Sequence, residues 1–162
     1  MNAGFFRVRA ATPVDVPALL DLMRELAAFE HYRDSFGVTQ AELRRRGFPV
    51  AGEPEFHAVV AETPAGGLAG YAVYHLLPFT YDLKPTLVLK ELFVRLPDRS
   101  AGLGTALLDQ VLREARRRGC RQIRWAVLPG NDRAKAFYRR WGGAPDAQWE
   151  YWRRDVDVDG LR

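Results

Sequence analysis

Apolar and basic residues alternate from Phe5 to Ala10, which predicts a short first strand. Val16, Leu19, Leu20, Met23, Leu26 and Ala27 then recur at helical spacing. Thr12, Pro13 and Asp15 stand just before them as a hydroxyl cap, an early proline and an acid three residues on, a combination that starts helices. A second capping pair, Thr39 and Glu42, opens a short helix that Gly47 and Pro49 terminate. Residues 56–63 and 68–77 read as two strands, and Pro64, Ala65, Gly66 and Gly67 between them supply hairpin turn chemistry. A loop over 78–86 leads into an apolar run, 87–94, then a glycine turn and an amphipathic helix to about Gly119. Residues 122–128 read as a strand, 132–141 as a helix after the break at Pro129 and Gly130, and 148–152 as a last strand.

This order mixes an antiparallel hairpin with a β-α-β crossover. It predicts an α/β (α+β mixed) fold, a mixed sheet with helices on both faces. The 162 residues suit a single domain, 1–162 with a core over about 5–154. Apolar residues at 48% and charged ones at 27% fit a globule with a sizeable core and exclude a disordered chain. Cys120, alone of its kind, excludes an internal disulfide framework and reads as a packed thiol at a strand entry. His31, His57 and His75 lack metal-ligand spacing, so no metal is expected. Asp155, Asp157, Asp159 and Gly160 match the start of a calcium loop, but no glutamate follows at the twelfth position, and a fraying strand fits better. The N-terminus has no signal-peptide core and no run spans a membrane, which together predict a cytoplasmic protein without a membrane partner.

The net charge of +4 is unevenly placed. Arg113, Arg116, Arg117, Arg118, Arg121 and Arg124 crowd the region after the glycine turn. Such a cluster is compatible with nucleic acid, with a small polyanion, or with a plain solvated helix face, which is the commonest case. The turn itself is the sharper signal. Arg99, Ser100, Ala101, Gly102, Leu103, Gly104 and Thr105 join a strand to a helix start, where glycines admit close approach and the helix end offers donors and partial positive charge. That makes an anion cradle, most plausibly for phosphates. A P-loop is disfavoured because Gly104 runs directly into Thr105 without a lysine.

Three features in this order resemble the GNAT superfamily of acetyl-CoA-dependent N-acetyltransferases. They are the strand ending Leu92, Phe93, Val94; the Arg99-x-x-Gly102-x-Gly104 signature; and the Asn131-x-x-Ala134-x-x-x-Tyr138 segment. Residues 25–30, 79–82 and 137–142 further resemble the diamine (spermidine/spermine) acetyltransferase branch and its thialysine relatives. The resemblance implies a mostly antiparallel twisted sheet, acetyl-CoA as cosubstrate, a small-molecule amine acceptor, no nucleic acid partner, and a homodimer. It implies that the strand at Leu92, Phe93 and Val94 pairs with the pantetheine arm. It places the pyrophosphate on Arg99 through Thr105, sets Asn131, Asp132, Arg133 and Ala134 against the rest of the cofactor, and makes Tyr138 the general acid. Phe29, Glu30, Asp82 and Lys90 fall at acceptor-side positions.

Chemistry constrains the remaining role. A lysine-like amine has a pKa near 10.4, so at pH 7 only about one molecule in a thousand is neutral. A base must take its proton, and an acid such as a tyrosine should protonate the leaving thiolate. The diamine branch carries an acidic pair where this chain has Lys90 and Glu91. Lys90, while protonated, is no base and repels a cationic acceptor. Either Glu91 takes over, which strict strand alternation opposes unless a bulge intervenes, or the acceptor is not a diamine. A catalytically weak acyl-CoA-binding protein on the same fold is the alternative function.

Overall fold

The computed structural model describes residues 6–78, 82–99 and 102–156. The chain divides into two compact units, Met1–Ala126 and Val127–Arg162. The first holds a five-stranded sheet in the order β1 (Arg7–Ala10), β2 (His57–Glu62), β3 (Leu68–Leu77), β4 (Thr86–Val94) and β5 (Gln122–Arg124). Neighbours are antiparallel except β4 and β5, which run parallel after the crossover through α3 (Leu103–Arg117). α1 (Val16–Phe29) and α2 (Gln40–Gly47) complete this unit, and α4 (Asp132–Arg140) belongs to the second. No helix among the described residues is long and apolar enough to cross a membrane.

Each face of the sheet has its own core. Leu19, Leu22, Met23 and Leu26 of α1 pack with Val60, Tyr71, Val73 and Phe93. On the opposite face α3 lies against β2, β3 and β4, burying Leu103, Leu107, Leu108 and Val111. The expected mixed, mostly antiparallel sheet with helices on both faces is what forms. Gly66, at φ 85°, closes the β2–β3 hairpin, and Gly119, at φ 66°, ends the α3 turn. Gly70 has a different purpose: a Cβ there would stand 2.6 Å from the Phe93 carbonyl oxygen across the β3–β4 ladder.

The predicted helix starts are observed, and one is built into an ionic network. Thr39 accepts from the Glu42 amide at 3.2 Å, as the capping pair requires. Asp15 accepts from the Thr12 amide at 2.7 Å and from both ends of the Arg9 guanidinium at 2.7 and 2.8 Å. Arg9 also reaches Glu62 at 2.8 Å, so the network ties the start of α1 to β1 and β2. Asp15 is the buried charged residue of this core edge, and its burial is tolerable because every contact is charge-assisted.

Three strand expectations need correction. The run 122–128 forms a strand only over Gln122–Arg124, because β5 pairs with β4 only at Thr86, Leu87 and Val88. Residues 148–152 are irregular, with Trp149 and Trp152 exposed; their alternation has no neighbouring ladder to join among the described residues, and a strand without a partner does not form. The first strand begins at Arg7, and Phe5 lies outside the described residues, as do Asp157, Asp159 and Gly160 of the calcium-loop decoy.

The Arg9 contact holds the Asp15 carboxyl below its usual 3.8. A lowered folded-state value contributes stability that is complete above the unfolded value and is lost as pH falls through the folded one. Asp15→Asn is therefore expected to cost about 2 kcal/mol in urea unfolding at neutral pH. The gap to wild type should close as the pH is taken below the ordinary carboxylate range.

Candidate active site

The register of β3 and β4 breaks once. Val73 opposes Glu91 and Tyr74 opposes Leu89, which leaves Lys90 as an extra residue without a partner. This is a β-bulge, and it reverses the alternation. Without it, Leu87, Leu89, Glu91 and Phe93 would share one face. With it, Leu87 and Leu89 follow Leu76 and Tyr74 toward α3, while Glu91 and Phe93 follow Val73 and Tyr71 toward α1. The sequence left open whether Glu91 could turn to the other face of the strand; the bulge turns it to the α1 face. Lys90 itself is exposed.

Glu91 is largely buried on the α1 face, and the Tyr71 phenol donates to its Oε2 at 2.7 Å. Burial raises the Glu91 carboxyl above the usual carboxylate range, and Glu30 adds to the rise; the Tyr71 hydrogen bond and the Lys90 ammonium oppose it. Tyr71 is completely buried, and burial together with Glu91 holds its proton far above the ordinary tyrosine range. Half-buried Tyr32 feels the same charges: burial, Glu91 and Glu30 push it up to about 12. Glu30 ends α1, His31 follows in the left-handed region at φ 62°, and the Tyr32 amide returns to the Ala27 carbonyl at 3.0 Å. This reversal sets Glu30 and Tyr32 on either side of His31, both within electrostatic reach of Glu91.

Two residues beyond Glu91, Phe93 meets Phe29 through an arginine. The Arg99 guanidinium lies 4.9 Å from the Phe29 ring centre and 5.6 Å from that of Phe93, and its Nε donates to the Val94 carbonyl at 2.7 Å. A cleft of about 710 Å³ opens beside this stack, lined by Phe29, Arg33, Phe36, Phe93 and Arg99 among others. Its rim is braced by Arg95, which bonds Glu25 of α1 at 2.6 Å and the Leu68 carbonyl at 2.9 Å. So Phe29, Glu30, Glu91, Phe93 and Arg99, expected from sequence, converge in one neighbourhood of the first unit.

The glycine turn has the features of an anion cradle. Gly102 sits at φ 78° as the N-cap of α3 with open space where a Cβ would point. The first intrahelical bond is Ala106 N–H to Gly102 carbonyl at 2.9 Å, so the amides of Leu103, Gly104 and Thr105 precede it and have no helical acceptor. Ser100 and Ala101 lie outside the described residues, as do Phe79 and Tyr81. Beyond Val88, β4 has no β5 partner, so the edge carrying Leu92 and Val94 is open to an extended ligand among the described residues.

In the second unit Asn131 is the N-cap of α4, accepting from the Ala134 amide at 3.0 Å. Asp132 and Arg133 are exposed in its first turn. Tyr138 is half-buried on α4, its ring 5.4 Å from that of Phe137. Asp82, expected on the acceptor side, pairs with Arg121 at 3.2 Å and accepts from the Lys84 amide, holding the loop before β4. The arginine cluster is partly neutralised on α3 itself, where Arg117 and Arg118 share Glu114. Tyr71 and Tyr32 were not singled out from sequence. The available signal was a phenol in an otherwise apolar strand: a buried tyrosine hydroxyl needs an acceptor.

An open β4 edge, a glycine-led helix and an inward carboxylate on a bulge define an acyl-transfer scaffold, and similarity to known proteins agrees. The chain belongs to the Acetyltransferase (GNAT) family, whose model matches residues 18–143. It is an N-acetyltransferase related to thialysine N-epsilon-acetyltransferase. It is 32% identical to that protein of Bos taurus over 157 residues, covering 92% of this chain and 90% of the relative. It is also 30% identical to human spermidine/spermine N(1)-acetyltransferase-like protein 1, covering 93% of this chain and 22% of that protein. The fold matches an aminoglycoside acetyltransferase from an uncultured soil metagenomic sample with a TM-score of 0.79 at 18% identity, covering 94% of this chain and 97% of that one.

Gly102→Ala places a Cβ in a left-handed conformation without a steric clash. It is expected to cost about 1 kcal/mol of stability from backbone strain alone, read by chemical denaturation.

Proposed function

We propose that the protein transfers the acetyl group of acetyl-CoA to the primary amine of a small, thialysine-like or diamine-like acceptor, with Glu91 as base and Tyr138 as acid. The observation that carries this reading is the bulge at Lys90, because it gives a buried, electrostatically raised carboxylate to the acceptor side despite the missing acid at position 90. Residues 127–162 complete a single catalytic domain in this reading.

Acetyl-CoA supplies an activated thioester carbonyl and a thiolate leaving group. The residues that fit it are those of the open β4 edge and the α3 N-terminus. Backbone groups of Leu92, Phe93 and Val94 suit a peptide-like arm, and the amides of Leu103, Gly104 and Thr105 suit a pyrophosphate. In this reading Arg99 supplies a cation, and Asn131, Asp132, Arg133 and Ala134 contact the rest of the cofactor. Glu30 and Glu91 favour a cationic acceptor by charge, with Phe29 at its flank. Glu91 accepts one ammonium proton so that nitrogen can attack, and a carboxylate whose pKa is raised above its ordinary value is a stronger base than an ordinary one. Tyr138 gives its proton to the departing sulfur and recovers one from solvent.

Thiol release with acetyl-CoA and a panel of amines tests the reading directly. Turnover on at least one primary amine is expected; cofactor binding with no turnover on any amine would replace the enzyme by an acyl-CoA-binding protein. Tyr138→Phe and Glu91→Gln should each lower kcat by about a hundredfold or more without loss of fold. The wild-type kcat/KM should rise with pH through a value above the usual glutamate pKa of 4.5, and Glu91→Gln should abolish that limb.

A further inference from the structure

The face that β4 presents to α1 contains one polar pair with no packing reason to exist. Tyr71 is fully buried among Val60, Val73 and Phe93, where a phenylalanine would satisfy the packing. Its ring is tilted against Phe93 at 6.4 Å, and its hydroxyl ends 2.7 Å from Glu91 Oε2. A hydroxyl there is costly to bury unless bonded, and the bond it makes goes to the carboxylate that the bulge has just turned inward. We propose that Tyr71 is a positioning residue for the acyl-transfer reaction: its phenol fixes Oε2 of Glu91, so that Oε1 alone receives the acceptor proton. This rests on the reading of Glu91 as base.

The division of labour follows from geometry. A glutamate carboxylate, carried on three torsions, rotates unless one oxygen is held. Tyr71 is held by the rigid β3 ladder opposite Phe93, so its hydroxyl is a fixed point against which Glu91 is oriented. The phenol keeps its proton throughout the working pH range, so it always donates. Among the described residues, four groups act on or respond to Glu91 from the elements around it. Tyr71 comes from β3, Lys90 from β4 itself, Glu30 from the end of α1, and Tyr32 feels Glu91 from just beyond it. Glu30 and burial raise the Glu91 pKa; Tyr71 and Lys90 lower it. Tyr71 is thus the buried neutral group that restrains this rise through a direct hydrogen bond.

Tyr71→Phe removes one hydroxyl and leaves the volume unchanged, so it isolates the bond. Two measurements are needed. The first is a carboxyl-carbon NMR titration of Glu91 in the protein without acetyl-CoA. The second is the pH profile of kcat/KM with acetyl-CoA and an accepted amine. Losing the hydrogen bond is expected to move both the Glu91 titration and the acid limb upward by about one pH unit. Activity should fall about tenfold on that limb and by much less on the alkaline side. An unmoved Glu91 titration, or a loss equal at every pH, would make Tyr71 a packing residue and overturn the proposal. Glu91→Gln separates the two ideas: full activity in that variant defeats the base assignment, whereas a strong loss there with an unmoved profile in Tyr71→Phe defeats only the positioning role. Tyr32→Phe, which touches no Glu91 oxygen by a hydrogen bond, should leave the limb within about 0.3 pH units, on the order of a twofold change.

Discussion

The extra residue at Lys90 is the constraint on which the site depends. A strand has a period of two, and one inserted residue exchanges its faces. Upstream of Lys90, β4 serves the α3 core with Leu87 and Leu89; downstream it serves the α1 side with Glu91 and Phe93. One strand is thereby both a structural wall and a reactive one. The ladder with β5 pairs only through Val88, which leaves an open edge of β4 next to the inward carboxylate among the described residues. A shift of one residue thus brings the ligand-facing edge and the candidate base together.

Charge is distributed with a similar economy. Among the described residues Glu30 and Glu91 have no ion pair with an arginine, and their field is felt by Tyr32 and Tyr71. Other acids are matched: Glu25 with Arg95, Asp15 and Glu62 with Arg9, Asp82 with Arg121. The matched pairs join elements distant in sequence, so they brace the frame, while the unmatched acids leave a local negative potential suited to an ammonium. Arg99 stands at the border of the two regimes, its charge shared between two aromatic faces and a backbone carbonyl.

Much of this was legible in the residues, for local reasons. Thr12 with Asp15, and Thr39 with Glu42, mark helix starts because capping is settled within four residues. Gly102 before an amphipathic run marks the start of α3 for the same reason. The bulge was not legible, because it is a property of the pairing of β4 with β3 and not of β4 alone; a lysine and a glutamate in sequence do not say which of them is skipped. Tyr71 was hidden in an apolar run where a phenol counts as core until its partner is known. The pairing of Asp82 with Arg121 was not legible either, because the two are 39 positions apart and joined only by the fold. The aromatic alternation at 148–152 misled in the other direction, since periodicity without a neighbouring strand is only a pattern.

Gly70 bears on how such a protein can vary. It stands opposite Val94, and its backbone passes so close to Phe93 that any side chain would strike the carbonyl oxygen of the ligand-facing strand. A substitution there would push β4 outward at the point where the strand turns toward the glycine cradle. The position is closed to drift for a mechanical reason, although it touches no acceptor and holds no charge. Exposed Lys90 has room for other side chains, whereas the narrow crossing at Gly70 fixes the distance between β3 and β4.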